Sequence, residues 1–237
     1  MSMPCVLASE ARVYEGRVIR IVEAQHRIST NRLAANAADQ ELLEQLADEV
    51  KPMLPESALR LPWLLASPFR YGLGRPSRFR AANVLPGILY ASEDIVTAVS
   101  EAAYWRLVAF SRSPGFVRPR TPTPMSAFSV MLRSTAALDL LVPPLARREA
   151  EWTHPSDYTA TQALAAEARR ADITMIRAPS ARRRKGVNVA VLDPAALVPP
   201  PKAHSSWAFL AVAEGLIATQ EISKNAMRFS LPDFPVD

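Results

Sequence analysis

Along the chain the spacing of apolar side chains switches between a period near two and a period near 3.6, and each switch predicts an element. "RVIRIVEAQ" carries Val18, Ile19, Ile21 and Val22, which predicts a strand. "DQELLEQLADEV" sets Leu42, Leu43, Leu46 and Val50 at helical spacing. Lys51-Pro52 ends that helix, because proline lacks the amide donor and pushes its predecessor out of the helical region. Pro52, Pro55 and Pro62 stiffen the connection to an apolar element, "RLPWLLASPFRY". "GILY" reads as a strand. A helix follows from an N-cap at Ser92 to about Phe110, with Ile95, Val99, Ala102, Ala103, Leu107 and Phe110 as its stripe.

Further on, "SRSPGFVRPRTPTP" is loop by composition, and "SAFSVMLRS" and "LDLLV" read as two short strands. "PSDYTATQALAAEARRA" reads as a helix capped by Ser156 or Asp157. "ITMIRA" and "VNVAVLD" predict a β-hairpin around the tip "PSARRRKG", and the apolar tail "WAFLAVAEGLIATQEIS" predicts a closing helix. The expected organisation is a strand and helical extension over residues 1–60, a core over 61–198 and a helical tail over 199–237, packed as one compact unit. Strands and helices interspersed irregularly, with 21 prolines and 7 glycines, fit an α+β domain with firm loops better than an all-β sandwich.

Composition narrows the function classes only a little. A net charge of +5, from 28 basic and 23 acidic residues, suits nucleic acid, an acidic protein or a small phosphorylated ligand without choosing among them. The dense cluster Arg182 to Lys185 has no interleaved aromatics, so it reads as a solvated hairpin tip rather than a nucleic-acid patch. No apolar run reaches about 18 residues and the start lacks a signal-peptide pattern, so a cytoplasmic protein without a membrane span is expected. The lone Cys5 leaves no internal disulfide and no Cys-based zinc site. His26, His154 and His204 have no paired metal spacing and are expected on the surface or in caps, so no metal is expected. "GLG" at Gly72 to Gly74 lacks the third glycine of a dinucleotide fold, and neither a P-loop lysine motif nor a nucleophile elbow occurs.

What remains is Glu101. At about 100° per residue it falls beside the apolar stripe of its helix, with Ala98 at i−3 and Trp105 at i+4. A carboxylate there is partly desolvated and needs a cation or a donor. One reading is a boundary glutamate paired with an arginine such as Arg106. The other is a site in which Arg78 of "PSRFR", Tyr90 of "GILY" and Ser180 of the hairpin tip converge on it. Each of the three also has a plainer explanation, as surface charge, core aromatic and turn serine.

Those residues sit in a pattern that resembles a known family. "SPFRYGLGRPSRFRAANVLPGILYASEDIVTAVSEAAYWRLVAF" is similar to the first half of a RES domain, a toxin fold, and "DYTATQALAAEARRADITMIRAPSARRRKGVNVAVLDP" to its second half. "RVIRIVEAQHRISTNRL" resembles the N-terminal part of the longer members, so the resemblance covers roughly residues 12 to 198. Carried over, the family arginine falls on Arg78, the tyrosine on Tyr90, the glutamate on Glu101 and the serine on Ser180. The glycine before the arginine is replaced by Pro76-Ser77, and a longer loop makes Arg80 a rival for its role. Trp105 either lines the pocket or packs.

The resemblance implies an ADP-ribosyltransferase-like fold of twisted central β-sheets flanked by helices, and cleavage of the nicotinamide–ribose bond of NAD+. Glu101 would stabilise the cationic ribose and Arg78 would fork onto the pyrophosphate. Tyr90 would stack nicotinamide and orient it through its hydroxyl. Ser180 would hydrogen-bond ribose, phosphate or Glu101, with Arg20 as a second phosphate contact. The implied partner is an Xre-like antitoxin whose tail plugs the pocket, and the N-terminal helices would cover the pocket or form a homodimer face. Two other functions compete: mono-ADP-ribosylation of a cellular protein by the same residues, and a non-catalytic module holding nucleic acid on its basic hairpin.

Overall fold

The computed structural model describes residues 7–24, 52–70, 76–113, 117–223 and 225–234, with isolated positions between them. Most of the helix expected at residues 40–50, Cys5 and His26 lie outside the described residues. Within them the strands are β1 (Arg12–Glu23), β2 (Leu89–Ser92), β3 (Thr123–Asp139), β4 (Met175–Pro179), β5 (Val187–Val191), β6 (Leu197–Val212), β7 (Gly215–Gln220) and β8 (Ala226–Phe229). The helices are α1 (Trp63–Arg70), α2 (Ile95–Ser111), the single turn α3 (Glu149–Trp152) and α4 (Thr159–Arg170). The fold is therefore α+β, as expected.

The strands form one sheet in the order β1-β2-β5-β4-β3-β6-β7-β8, and β1 also pairs with β3. That extra pairing closes β1, β2, β5, β4 and β3 into a ring, from which β6, β7 and β8 continue. β3 pairs parallel with β4 and antiparallel with β1 and β6. Because side chains alternate across a strand, the register Tyr90↔Ala190 and Ser92↔Asn188 turns these four residues to one face. Leu89, Ala91, Val189 and Val191 turn to the other, into the cluster of Phe69, Val130 and Leu132.

α2 packs Val99, Ala103 and Leu107 against Ile19, Met125 and Trp207. α4 packs Leu164, Ala165 and Ala168 against Ile176 and Ala190. Full burial of a leucine-sized side chain contributes about 1.5–3 kcal/mol, so these two faces anchor the helices on the sheet.

Four expectations are corrected. The α-helix expected in the tail does not form among its described residues: Trp207 and Phe209 are buried while their neighbours Ala208 and Leu210 are half-buried, a period of two along β6. Gly215 then reopens the chain as β7, at a point where a side chain would collide with the carbonyl of Phe229 in β8. The first of the two short strands after Pro124 is extended to 17 residues as β3, which takes in Leu138 and Asp139 of the second, while Leu140 to Val142 form the turn after it. The cap of α2 is Asp94, whose Oδ1 accepts from the Thr97 amide at 2.9 Å, whereas Ser92 belongs to β2. At α4 the N-cap is Tyr158, without a side-chain cap bond, and Asp157 accepts from Thr159 N beside it.

Candidate functional site

Between α2 and the β2–β5 face lies a cavity of about 400 Å³. α2 turns Ala98, Glu101, Ala102 and Trp105 toward it, the i, i+3, i+4, i+7 set of one helical face. Arg20 of β1, Tyr90 of β2 and Asn188 of β5 line the floor, and Arg78, Tyr158 and Arg182 close the side. Arg20, Arg78, Tyr90 and Glu101 are thus brought together. Ser180 does not line this cavity; it stands behind Glu101 and borders a second one, of about 510 Å³.

Glu101 is half-buried and held through one oxygen. Its Oε1 accepts from Ser180 Oγ at 2.7 Å and from Asn188 Nδ2, while its Oε2 has no hydrogen bond to a described residue. Asn188 is oriented in turn, its Oδ1 accepting from Ser92 Oγ at 2.7 Å. Arg106 does not pair with Glu101; it reaches Glu23 and Thr123 instead. The carboxylate's hydrogen bonds therefore come from neutral donors, with the Arg78 charge nearby, and one oxygen stays open toward the cavity.

Arg78 sits at the corner of a turn in which Ser77 and Arg80 exchange backbone hydrogen bonds. α4 pins that turn, Gln162 Nε2 donating to Ser77 O at 3.0 Å and Thr161 Oγ1 to Arg78 O. The guanidinium donates through Nε and Nη2 to Trp152 O, and through Nη2 to Pro179 O at 2.8 Å. One edge of its fork is therefore engaged by carbonyls, while its Nη1 has no hydrogen bond to a described residue. Burial pushes its pKa down, and the nearby Glu101 charge works against that. Arg80 does not line the cavity and donates to Ala81 O and Val84 O.

The Tyr90 hydroxyl bonds Ser77 Oγ at 2.8 Å and accepts from Phe79 N at 3.1 Å, so it fastens the Arg78 turn, and the residue lines the cavity. Arg20 donates Nη1 to Tyr90 O at 2.8 Å, and burial pushes its pKa down to about 10, still protonated at neutral pH.

Reasoning from sequence missed Asn188, Tyr158 and Arg182. Asn188 had a signal, being a lone amide in the apolar strand "VNVAV". Arg182 was hidden in a cluster taken for a solvated tip, yet it is 6% exposed. Arg183 pairs with Asp94 at 3.1 Å, and only Arg184 and Lys185 of the four are exposed. His154 Nδ1 accepts from Asp157 N at 2.9 Å, as a local cap. Among the described residues no group of three or more His, Cys, Asp or Glu side chains could hold a metal, and no helix is long and apolar enough to cross a membrane.

A closed strand ring with a cleft of three guanidiniums around one carboxylate defines an α+β domain suited to an anionic ligand. The chain belongs to the RES domain family, whose model matches residues 54–210. Its fold is similar to the crystal structure of the M. tuberculosis MbcT–MbcA toxin–antitoxin complex, with a TM-score of 0.50 at 13% identity, over 87% of this chain and 91% of the other. No curated protein matches the sequence.

Proposed function

We propose that the chain is the toxin of a toxin–antitoxin pair and that it breaks the nicotinamide–ribose bond of NAD+. The observation that carries this is the half-held carboxylate: Glu101 Oε1 bound by Ser180 and Asn188, Oε2 open to a cavity lined by Arg20, Arg78 and Arg182. Three guanidiniums against one carboxylate leave the lining with two excess positive charges, which suits a dianionic pyrophosphate.

The chemistry needs little more. Nicotinamide leaves as a neutral base with the electron pair of the C–N bond, so no acid is required to protonate it. Positive charge develops on the ribose, and a fixed carboxylate oxygen stabilises it without reorganising. Water then forms the new C–O bond and releases a proton, giving ADP-ribose; inorganic phosphate at the same carbon gives the phosphate ester instead. The Tyr90 ring offers a face for nicotinamide. In this reading the fold is ADP-ribosyltransferase-like and the protein works in the cytoplasm, where NAD+ is available.

A protein antitoxin is the partner that likeness to the MbcT–MbcA complex supports. An Xre-like antitoxin with an acidic tail is the form that a guanidinium-lined cavity would accept. The test is incubation of the purified protein with NAD+, with and without phosphate, assayed by mass spectrometry. Free nicotinamide with ADP-ribose or its phosphate ester is expected. Intact NAD+ that is consumed only when a protein acceptor is added would favour protein ADP-ribosylation, and intact NAD+ throughout would contradict the reading.

A further inference from the structure

We propose that Ser92 is a positioning residue for this reaction: its hydroxyl holds the Asn188 amide by the oxygen, so that the amide nitrogen is a fixed donor that aims Glu101. The inference rests on the reading above that Glu101 acts on the ribose, and it names what holds that carboxylate from the side of the sheet.

Asn188 stands between the two. Its Oδ1 accepts from Ser92 Oγ at 2.7 Å, and its Nδ2 donates to Glu101 Oε1. Among the described residues these are the only side-chain hydrogen bonds of Asn188 and of Ser92. The two ends of a carboxamide are alike in shape and opposite in polarity, so its partners decide how it lies. Turned over, it would set Oδ1 against the carboxylate, two acceptors with no hydrogen between them. With Oδ1 tied to Ser92, the nitrogen keeps its place instead of following the carboxylate.

Strand register puts the pair there. Ser92 and Asn188 are directly opposed on β2 and β5, within the closed ring of strands. Directly opposed side chains stand about 4.5–5.5 Å apart at Cβ, a span that one hydrogen bond between short side chains bridges. Ser92 borders the cavity but is only 2% exposed, and its single hydroxyl proton is committed to Asn188. It therefore acts through Asn188 and not on a ligand.

Glu101 Oε1 thus receives two donors from different parts of the fold. Ser180 comes from a loop whose tip, Arg184 and Lys185, is exposed, whereas Asn188 comes from a strand paired on both sides, with β2 and with β4. One donor leaves a carboxylate free to swing about a single bond, while two fix its plane and with it the direction of Oε2. A charge already in place needs no reorganisation as the ribose cation forms.

The test is a double-mutant cycle on nicotinamide release with Ser92→Ala, Asn188→Ala and the two combined, each with a melting curve, and Asn188→Asp beside them. Ser92→Ala is expected to lower kcat about tenfold with KM within about twofold, less than the loss of a donor that touches the reacting atoms. In the Asn188→Ala background it should cost nothing further, because its route to Glu101 is gone. Asn188→Asp keeps the shape but sets a carboxylate against Glu101, so its kcat should fall below that of Asn188→Ala; a packing role predicts the opposite order. Wild-type kcat in a folded Ser92→Ala overturns the proposal, as does an equal loss in both backgrounds. Should Ser92→Ala not fold, wild-type kcat in Ser92→Cys, a weaker donor, overturns it equally. A wild type that releases no nicotinamide contradicts the proposed reaction, and the Asn188 side-chain amide protons, followed by NMR, then decide the relay. Faster exchange of those protons with water in Ser92→Ala leaves the relay standing, and identical signals and exchange in the two proteins overturn it.

Discussion

Ser180 Oγ lies 2.7 Å from Glu101 Oε1 and has no further capacity, because the amides of Arg182 and Arg183 both donate to it at 3.1 Å. Its proton goes to the carboxylate and its lone pairs to the loop. The serine therefore aims Glu101 and ties it to the 180–186 segment, acting as a positioning residue.

Removing that hydroxyl should lower kcat with little change in KM, since Glu101 is then held by Asn188 alone. For Ser180→Ala we expect a fall of about 10- to 100-fold, less than the roughly 100- to 1,000-fold lost with a donor that touches the reacting atoms, because Ser180 acts through Glu101. Ser180→Thr, which restores the hydroxyl, should recover part of it. Steady-state kinetics with a melting curve for each variant checks this, and an equal rise in KM would point to a binding role instead.

Gly186 tests the same loop from its other end. A Cβ there would lie 2.6 Å from Thr97 Oγ1 and 2.9 Å from its Cγ2, and Thr97 is buried with its hydroxyl bound to Asp94. Gly186→Ala should push the loop off the first turn of α2, cost about 1–3 kcal/mol of stability, and reduce turnover through Ser180. Urea unfolding and the nicotinamide assay measure the two effects separately.

Trp105 is 44% exposed, lines the cavity, and meets Tyr104 edge-on at 5.3 Å between centroids. An exposed indole at a cavity edge is placed to stack a flat ring of the ligand. Trp105→Ala should raise KM roughly fivefold or more, from about 1 kcal/mol of stacking, while kcat and melting stay close to wild type. A fall in stability without a change in KM would make it a packing residue.

Away from the cavity, Glu93 receives both Arg177 Nε at 2.7 Å and Nη2 at 2.9 Å, with the Tyr14 hydroxyl at 3.0 Å. Burial works to raise the Glu93 pKa, but the Arg177 bonds outweigh it and hold the carboxyl below its usual value of 4.5. A carboxyl with a lower pKa folded than unfolded contributes stability above the unfolded value and loses it as pH falls through the folded one. Glu93→Gln should therefore cost about 1–2 kcal/mol at pH 7 and flatten the loss of stability below pH 4.5. Denaturation across pH 3–7 reads both, and an unchanged acid limb would rule the pair out as its source.

Elements with a firm period or strong punctuation were legible: β1, the hairpin of β4 and β5, and α2 with Glu101 beside its stripe. The tail was not, because "WAFLAV" is apolar at every position and fits a helix or a two-sided strand equally until β3 is seen pairing with it. At the site, residue types pointed to Arg78, Tyr90 and Glu101, but not to how their atoms are used. The Tyr90 hydroxyl and one edge of Arg78 are taken by backbone groups from residues as far apart as Phe79 and Pro179, which no local pattern records. Arg182 was misjudged for the same reason: a charge run looks solvated until Tyr104 from α2 is found beneath it.

The measurement that bears most directly on the central claim is nicotinamide release by Glu101→Gln beside wild type, at equal NAD+ occupancy. The amide keeps the shape and the Oε1-type acceptor but not the charge, so the rate should fall about 100-fold or more, with folding and NAD+ binding retained. Release at the wild-type rate would show that this carboxylate is not the group that stabilises the departing nicotinamide's ribose, and the proposed mechanism would be wrong.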